Sequence, residues 1–363
     1  MDFTFSAEQE AMRDSVRTFL SERTPSAYVR AMIEDPRGFS DEFWSAVVDL
    51  GWAGLLVPEA LGGIGLGLVD LLPLQEEMGK LPLPGPFFSS AVCATLAGLR
   101  LGDEELLARL GRGERGTLAL EEGGAADPLA GVRTEASRDG GGAGWRLNGV
   151  KPLVLDGASA DLAVVVAHDP EGLAAFLVEA PAAEPVPSLD VTRKMTRLAL
   201  DGRPARRLGP DGDQTAVIAR VLDDIGIALS AETVGASDRA LQMAIEYSKV
   251  RVQFDRPIAT FQAIKHKIVD MLHQLELSRV GTHWAAWTSD VEDPQREPAA
   301  AMCKGFVAEA ANMITAENIQ VHGGVGFTWD VDCHLLFRRV KQNDLLFGSQ
   351  SFHRRRLADL ILA

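Results

Sequence analysis

Arg251-Val-Gln-Phe254-Asp-Arg-Pro-Ile258-Ala-Thr-Phe261-Gln262 lies between two long stretches of helical periodicity. A second unusual run, Ile319-Gln320-Val-His322-Gly323-Gly324-Val-Gly326, closes a third such stretch further along the chain. Arginine carries a planar, permanently charged fork that matches phosphate oxygens. Phe254 can cover an apolar part of a ligand, and Gln320 can bond its polar groups. Adjacent glycines let backbone approach a ligand where a Cβ would block it. Taken singly, Arg251 reads as a surface ion pair and the glycines as a turn. Taken together, their order and separation carry a family resemblance. His322, beside the Gly-Gly turn, reads as a packing or capping residue.

The rest of the chain falls into three parts around these segments. Residues 1–115 read as helices: Ser6 is an N-cap with Glu8 and Glu10 in the first turn, and Met12, Val16, Phe19 and Leu20 recur at helical spacing. From about residue 116 the pattern shortens to strand length, as in Ala163-Val-Val-Val-Ala167 and Ala174-Ala-Phe-Leu-Val178. Arg138-Asp-Gly-Gly-Gly-Ala-Gly144 reads as a hairpin turn, because no helix follows to offer an anion its N-terminus. From about residue 215 the chain is helical again, over roughly 215–250, 258–289, 298–319 and from 350 onward.

Composition narrows the function. With 363 residues the chain exceeds one simple core. Its net charge of −15 argues against a nucleic-acid partner, whose phosphates need a basic patch. Cys93, Cys303 and Cys333 are scattered and odd in number, so neither a disulfide framework nor a metal site is expected, and a reducing cytoplasm suits them. The opening residues carry neither a basic n-region nor an apolar h-region, and no uncharged apolar run reaches the roughly 18 residues of a membrane span.

The two quoted segments, with this helix–β–helix order over nearly the whole length, resemble the acyl-CoA dehydrogenase family. The resemblance implies an α+β fold: an N-terminal helical domain (1–115), a middle β-barrel-like domain (116–214) and a C-terminal helical bundle (215–363) carrying the cofactor and oligomerisation surface. It implies FAD as cofactor and α,β-desaturation of an acyl-CoA thioester, with electrons passed to an acceptor flavoprotein. Residues matching Arg251, Phe254, Gln320 and Gly324 reach the FAD of a neighbouring subunit in that family, with Gly323 beside Gly324 letting the backbone approach the cofactor. Ile258, Phe261, Gln262 and Ser349 are implied to lie close to the cofactor as well.

The chain departs from the family where the chemistry should be. Desaturation needs a base for the Cα proton, commonly a Glu before a Gly-Thr pair, yet the matching segment is Leu346-Phe347-Gly348-Ser349. Some members place the Glu on the helix leading into the Arg-rich segment, where this chain has Ile225. Asp224 serves only if the alignment slips by one residue, since helical neighbours point about 100° apart. The loop that contacts the flavin ring, Thr-Glu-Pro-Gly-x-Gly-Ser in the family, is here Glu121-Glu122-Gly123-Gly124-Ala125-Ala126-Asp127, and Leu153 and Leu155 replace an aromatic residue and a Thr. An acidic pair there opposes the negative charge of reduced flavin. The half-site offered to a neighbour is intact while the chain's own ring site is eroded. That combination, with the ending Phe347-Gly-Ser-x-x-x-His353-Arg-Arg-Arg356, resembles the actinobacterial heteromeric branch acting on steroid side-chain CoA thioesters. The expectation is a subunit of an α2β2 heterotetramer, inactive without its unlike partner. Two alternatives stand beside it: a self-sufficient homotetramer with its base moved to Asp224 or Asp344, and a flavin-free acyl-CoA- or partner-binding homologue.

Overall fold

The computed structural model describes residues 5–123, 125–139 and 144–362. Most of the expected glycine turn after Arg138, and Gly124 of the acidic loop, lie outside the described residues.

Helix α1 (Ala7–Arg23) starts at Ser6, which accepts Gln9 N while the Gln9 side chain accepts Ser6 N, a reciprocal capping box. It buries Val16 and Leu20, the inner edge of the periodic stripe read from sequence. Helices α2 (Ser26–Glu34), α3 (Asp41–Asp49), α4 (Leu68–Gly79), α5 (Thr95–Leu101) and α6 (Glu104–Gly111) complete the first lobe. Helix α4 is buried almost all round because it packs on α7 (Thr215–Val250), the central helix of the C-terminal lobe. Two glycines permit that approach: a Cβ on Gly79 would sit 2.0 Å from the Glu232 carbonyl oxygen, and one on Gly235 1.9 Å from that of Glu76. Backbone meets backbone at this crossing, and alanine at either position would drive the helices apart.

The middle lobe contains β1 (Gly116–Ala119), β2 (Glu135–Arg138), β3 (Trp145–Leu155), β4 (Leu162–Asp169), β5 (Gly172–Glu179), β6 (Ala183–Val186) and β7 (Met195–Arg207). Strand pairing runs β4-β2-β3-β7-β5 and returns from β5 to β4, so the sheet closes on itself. Period-two alternation then serves two cores at once. Ala163, Val165 and Ala167 of β4 and Ala174, Phe176 and Val178 of β5 fill the barrel interior. Their neighbours Leu162, Val164, Val166, Leu173, Ala175 and Leu177 join the large helical core. Strands buried on both faces read as continuous apolar runs, and these do.

The C-terminal lobe packs α7 with α8 (Gln262–Asp290), α9 (Arg296–His322), α10 (Cys333–Leu345) and α11 (Gln350–Leu362). Helix α10 was not expected from periodicity, and the reason is chemical. Its inward face interleaves Arg339, Gln342, Asn343 and Asp344 with Leu335, Leu336 and Val340, so no clean apolar stripe marks it. Arg339, fully buried, bonds Asp190, Glu232, Thr192 Oγ1 (2.6 Å) and the carbonyls of Pro82 (3.1 Å) and Leu83 (3.2 Å). Arg193 reaches Glu232 (2.5 Å) and Asn343 (2.6 Å) from the other side. Burial pushes the Glu232 carboxyl up, but the two guanidinium groups outweigh it and hold the group below the usual carboxylate range.

Removing one partner from such a cluster strands buried charge, at a cost of about 3–5 kcal/mol. Arg339→Met is therefore expected to lower the melting temperature strongly, with Arg339→Lys recovering only part because a point charge cannot fork. Scanning fluorimetry of the two variants beside wild type measures this, and an unchanged melting temperature for the Met variant would mean the cluster is not holding the lobes together.

Candidate functional site

Two regions carry the residues singled out from sequence. The first begins where α7 ends at Arg251, whose backbone turns extended (φ −73°, ψ 121°) and whose carbonyl accepts Ile258 N at 2.9 Å. Between them a short hairpin pairs β8 (Val252–Gln253) with β9 (Arg256–Pro257). Its tip residues Phe254 (φ 53°) and Asp255 (φ 62°) both take left-handed conformations, which non-glycine residues adopt at a cost. Phe254 is 86% exposed, with Phe261 edge-on at 6.1 Å and Arg256 stacked on Phe261 at 4.3 Å. Gln262 is exposed at the start of α8. The Arg251 side chain is exposed and makes no hydrogen bond or ion pair among the described residues.

The stacking of Tyr247 on His322, 4.3 Å between ring centres, brings the end of α9 to this hairpin. His322 is buried, its Nδ1 lies 2.9 Å from Asn318 O, and burial lowers its pKa, so it packs as a neutral ring. Gln320, Gly323 and Gly324 are exposed beyond it. Gly323 needs its lack of Cβ for its backbone (φ 64°, ψ −145°). Gly324 does not, and a Cβ on it would meet nothing within 4 Å among the described residues. The space over Gly324 is open, as a site for an external group would be. Sequence reading missed Phe327 (74% exposed) and Trp329 (52%), which with Gln320 border a groove of about 540 Å³. Two exposed aromatics just past the glycines were the available signal.

The second region is a cavity of about 530 Å³ lined by Asp127, Leu129, Leu222, Asp223, Phe347, Phe352, His353 and Arg356. Phe347 is buried here with φ 58°. Its N–H donates to Glu121 Oε1 (3.1 Å), and its carbonyl lies 3.1 Å from His353 Nε2. Lys304, fully buried on α9, donates to the carbonyls of Asn343 (2.7 Å), Asp344 (3.1 Å) and Gly348 (3.4 Å), and burial pulls its pKa down to about 8. Ser349 sits in this loop, paired with Ser351 at 2.9 Å, and so belongs with Phe347 rather than with the Arg251 hairpin. Neither Lys304 nor His353 was assigned a role from sequence, although a lone Lys in the run Ala299-Ala-Ala-Met-Cys-Lys304-Gly was a visible anomaly.

Asp224 and Asp344, the two alternative bases, and the nearby carboxylates Asp223 and Glu246 are all engaged. Asp223 faces the cavity but is bonded by both oxygens to Arg356. Asp224 is fully buried on a different side of α7, bonded to Arg100 at 2.7 Å and to Ser289. Asp224 is thus removed from the cavity as a base, by the angular step between helical neighbours. Ile225 lies in the core. Asp344 accepts Gln350 N and Asn312 Nδ2, each at 3.0 Å, and Glu246 pairs loosely with Arg239 at the surface.

The acidic pair of the middle lobe separates into two roles. Glu122 accepts Lys151 Nζ (2.5 Å), Arg133 N (2.8 Å) and Thr134 N (2.9 Å). Burial raises it, but Lys151 and Thr134 outweigh that and keep it below the usual range. Glu121 instead points at the Phe347 loop, and burial raises its pKa. Leu153 is 47% exposed, whereas Leu155 is buried. Among the described residues, no group of His, Cys, Asp and Glu could hold a metal, and no helix is long and apolar enough to cross a membrane.

Burial and the nearby charge of Lys304 hold the His353 pKa down to about 3. The unfolded chain, with an imidazole near 6.5, therefore binds a proton that the folded chain refuses between those values. Stability contributed by neutral His353 is fully present above about pH 6.5 and falls as the pH falls toward 3. Between pH 7 and pH 5 the loss is roughly 2 kcal/mol. His353→Gln keeps a donor for Phe347 O but cannot titrate, so its melting temperature should fall less than that of wild type over this pH interval. Parallel slopes for the two proteins would contradict the burial of a neutral imidazole.

Residues 6–112 match the family model described as acyl-CoA dehydrogenase, N-terminal domain, and residues 215–362 match the one described as acyl-CoA dehydrogenase, C-terminal domain. The acyl-CoA dehydrogenase IpdE2 of Mycobacterium tuberculosis is 30% identical over 354 residues, covering 96% of either chain. The structure is similar to that of a steroid ACAD, the G363A variant of Tcur3481-Tcur3483, with a TM-score of 0.89, 32% identity and 98% of each chain covered. It is also similar to a chain of the ChsE4-ChsE5 complex from Mycobacterium tuberculosis, with a TM-score of 0.89, 28% identity, and 100% of this chain and 99% of that one covered. With both terminal domains matched and the three-part architecture in place, the chain belongs to the acyl-CoA dehydrogenase family.

Proposed function

We propose that this chain is a subunit of an FAD-dependent acyl-CoA dehydrogenase in which it completes the flavin site of an unlike partner. The contrast between its two regions carries this reading. At the hairpin, an exposed arginine without a partner among the described residues stands with an exposed phenylalanine, linked through Tyr247 and His322 to open glycines. Arg251 and Gln320 suit the diphosphate and adenosine end of FAD, Phe254, Ile258 and Phe261 suit its apolar parts, and the backbone at Gly323 and Gly324 can lie against it. At the cavity, the chain's own residues do not suit the flavin ring. Phe347 and Ile225 hold no proton acceptor, and Glu121 places a carboxylate against the loop.

FAD, when bound, supplies the acceptor for the hydride leaving Cβ of the acyl chain. The base and the ring contacts then come from the partner, while this chain holds the distal end of the cofactor. Heteromeric naming of one similar structure supports the unlike partner, and steroid naming of another supports a steroid-derived acyl-CoA as substrate. A separate electron-accepting flavoprotein and a cytoplasmic setting complete the proposal.

Without an acceptor at either base position, the chain alone should desaturate acyl-CoA on the order of 10²–10⁴-fold more slowly than the assembled complex. The sharper test is Arg251. A charge-assisted bond to phosphate contributes about 1.5–3 kcal/mol, so Arg251→Ala should weaken flavin retention by the complex roughly ten- to a hundredfold. Arg251→Lys should recover part of it. Flavin absorbance of the co-purified complex reads this out, with circular dichroism as the folding control. A homo-oligomer holding one tight FAD per chain would overturn the unlike-partner reading.

A further inference from the structure

The turn joining α10 to α11 places two consecutive residues, Phe347 (φ 58°) and Gly348 (φ 97°), in left-handed conformations. A phenylalanine there persists only if its surroundings over-determine it. Lys304 and His353 hold its carbonyl side from within the same helical lobe. Among the described residues, the one hydrogen bond reaching this turn from the middle lobe is Phe347 N–H to Glu121 Oε1, across 226 residues of sequence. Lys151 and Lys304 both act electrostatically on the same carboxylate. Glu121 thus sits where the barrel and the helical bundle face each other, beside the cavity that Phe347 lines.

We propose that Glu121 is a positioning residue that latches the α10–α11 turn onto the middle lobe and thereby closes this chain's own flavin-ring site. The latch stands on the contact alone; the closure also rests on the functional reading above, which places the ring between these two lobes. The contact spans 3.1 Å. A planar ring between two walls needs about 7 Å, twice the optimal separation of about 3.5 Å, so ring and latch exclude each other along this line. Glu122 cannot replace the latch, because Lys151 and two backbone amides already occupy it.

The test uses the full chain, alone and with its partner, in wild-type, Glu121→Ala and Glu121→Gln forms. Hydrogen exchange of the Phe347 amide should quicken about tenfold or more in Glu121→Ala and stay near wild type in Glu121→Gln, which keeps an acceptor. In titrations with FAD, the isolated Glu121→Ala chain should take up several-fold more flavin than wild type, and the Gln variant should not. Unchanged Phe347 exchange in the Ala variant overturns the latch. Faster exchange without added flavin uptake overturns the closure. Because Glu121 is not part of the Arg251 surface, retention of the flavin at the partner's site in the assembled complex should be unaffected, so a failure here is separable from a failure of the unlike-partner reading. Melting temperatures establish that both variants fold.

Discussion

The buried ion cluster around Arg339 and Glu232 is the constraint on which the arrangement of the lobes depends. Its members come from every part of the chain: the carbonyls of Pro82 and Leu83, Asp190, Thr192 and Arg193 of the middle lobe, Glu232 of α7, and Arg339 and Asn343 of α10. Each charge is removed from water, so none tolerates loss of its counterpart. An apolar interface would hold the lobes as tightly but would let them slide. A forked guanidinium bonded to two carboxylates, a hydroxyl and two carbonyls accepts one geometry. That geometry sets how α10 lies on α7, and with it the position of the turn that carries Phe347.

From that turn outward the molecule divides its labour. Facing inward, the turn is fastened from several sides, with Lys304 on three carbonyls, His353 on a fourth and Glu121 on an amide. A catalytic carboxylate in this position would have to be free to meet substrate; the phenylalanine here packs as part of a wall. Facing outward, the hairpin at Arg251 has the opposite character. Among the described residues the Arg251 charge has no partner, the aromatic tip is exposed, and a Cβ on the nearby Gly324 would meet nothing. Such groups gain nothing from the fold of this chain alone, which is the observation behind the proposed cofactor contact.

Much of this was legible in the residues. Ser6, with Glu8 and Glu10 behind it, announced a capped helix, the apolar strands 163–167 and 174–178 announced a buried sheet, and Arg251, Phe254 and Gln320 stood out as residues that the fold leaves exposed. Helix α10 was illegible because Arg339, Gln342 and Asn343 are buried among Leu335, Leu336 and Val340, whereas polar residues usually mark the solvent side. The roles of Glu121 and Glu122 were likewise indistinguishable, since two adjacent glutamates differ only in which cation or amide the fold brings to them.

The sequence by itself determined the family, the three-part order of helices and strands, and the absence of a proton acceptor at Phe347 and Ile225, because these follow from local periodicity, motif order and side-chain chemistry. Tertiary structure alone decided which carboxylates are engaged and which way each points. Asp223 opens on the cavity and Asp224 on Arg100, one residue and about 100° of helix apart. Glu121 meets Phe347 only because a barrel and a bundle are packed together. Such contacts depend on where distant segments come to rest, and no local pattern encodes that.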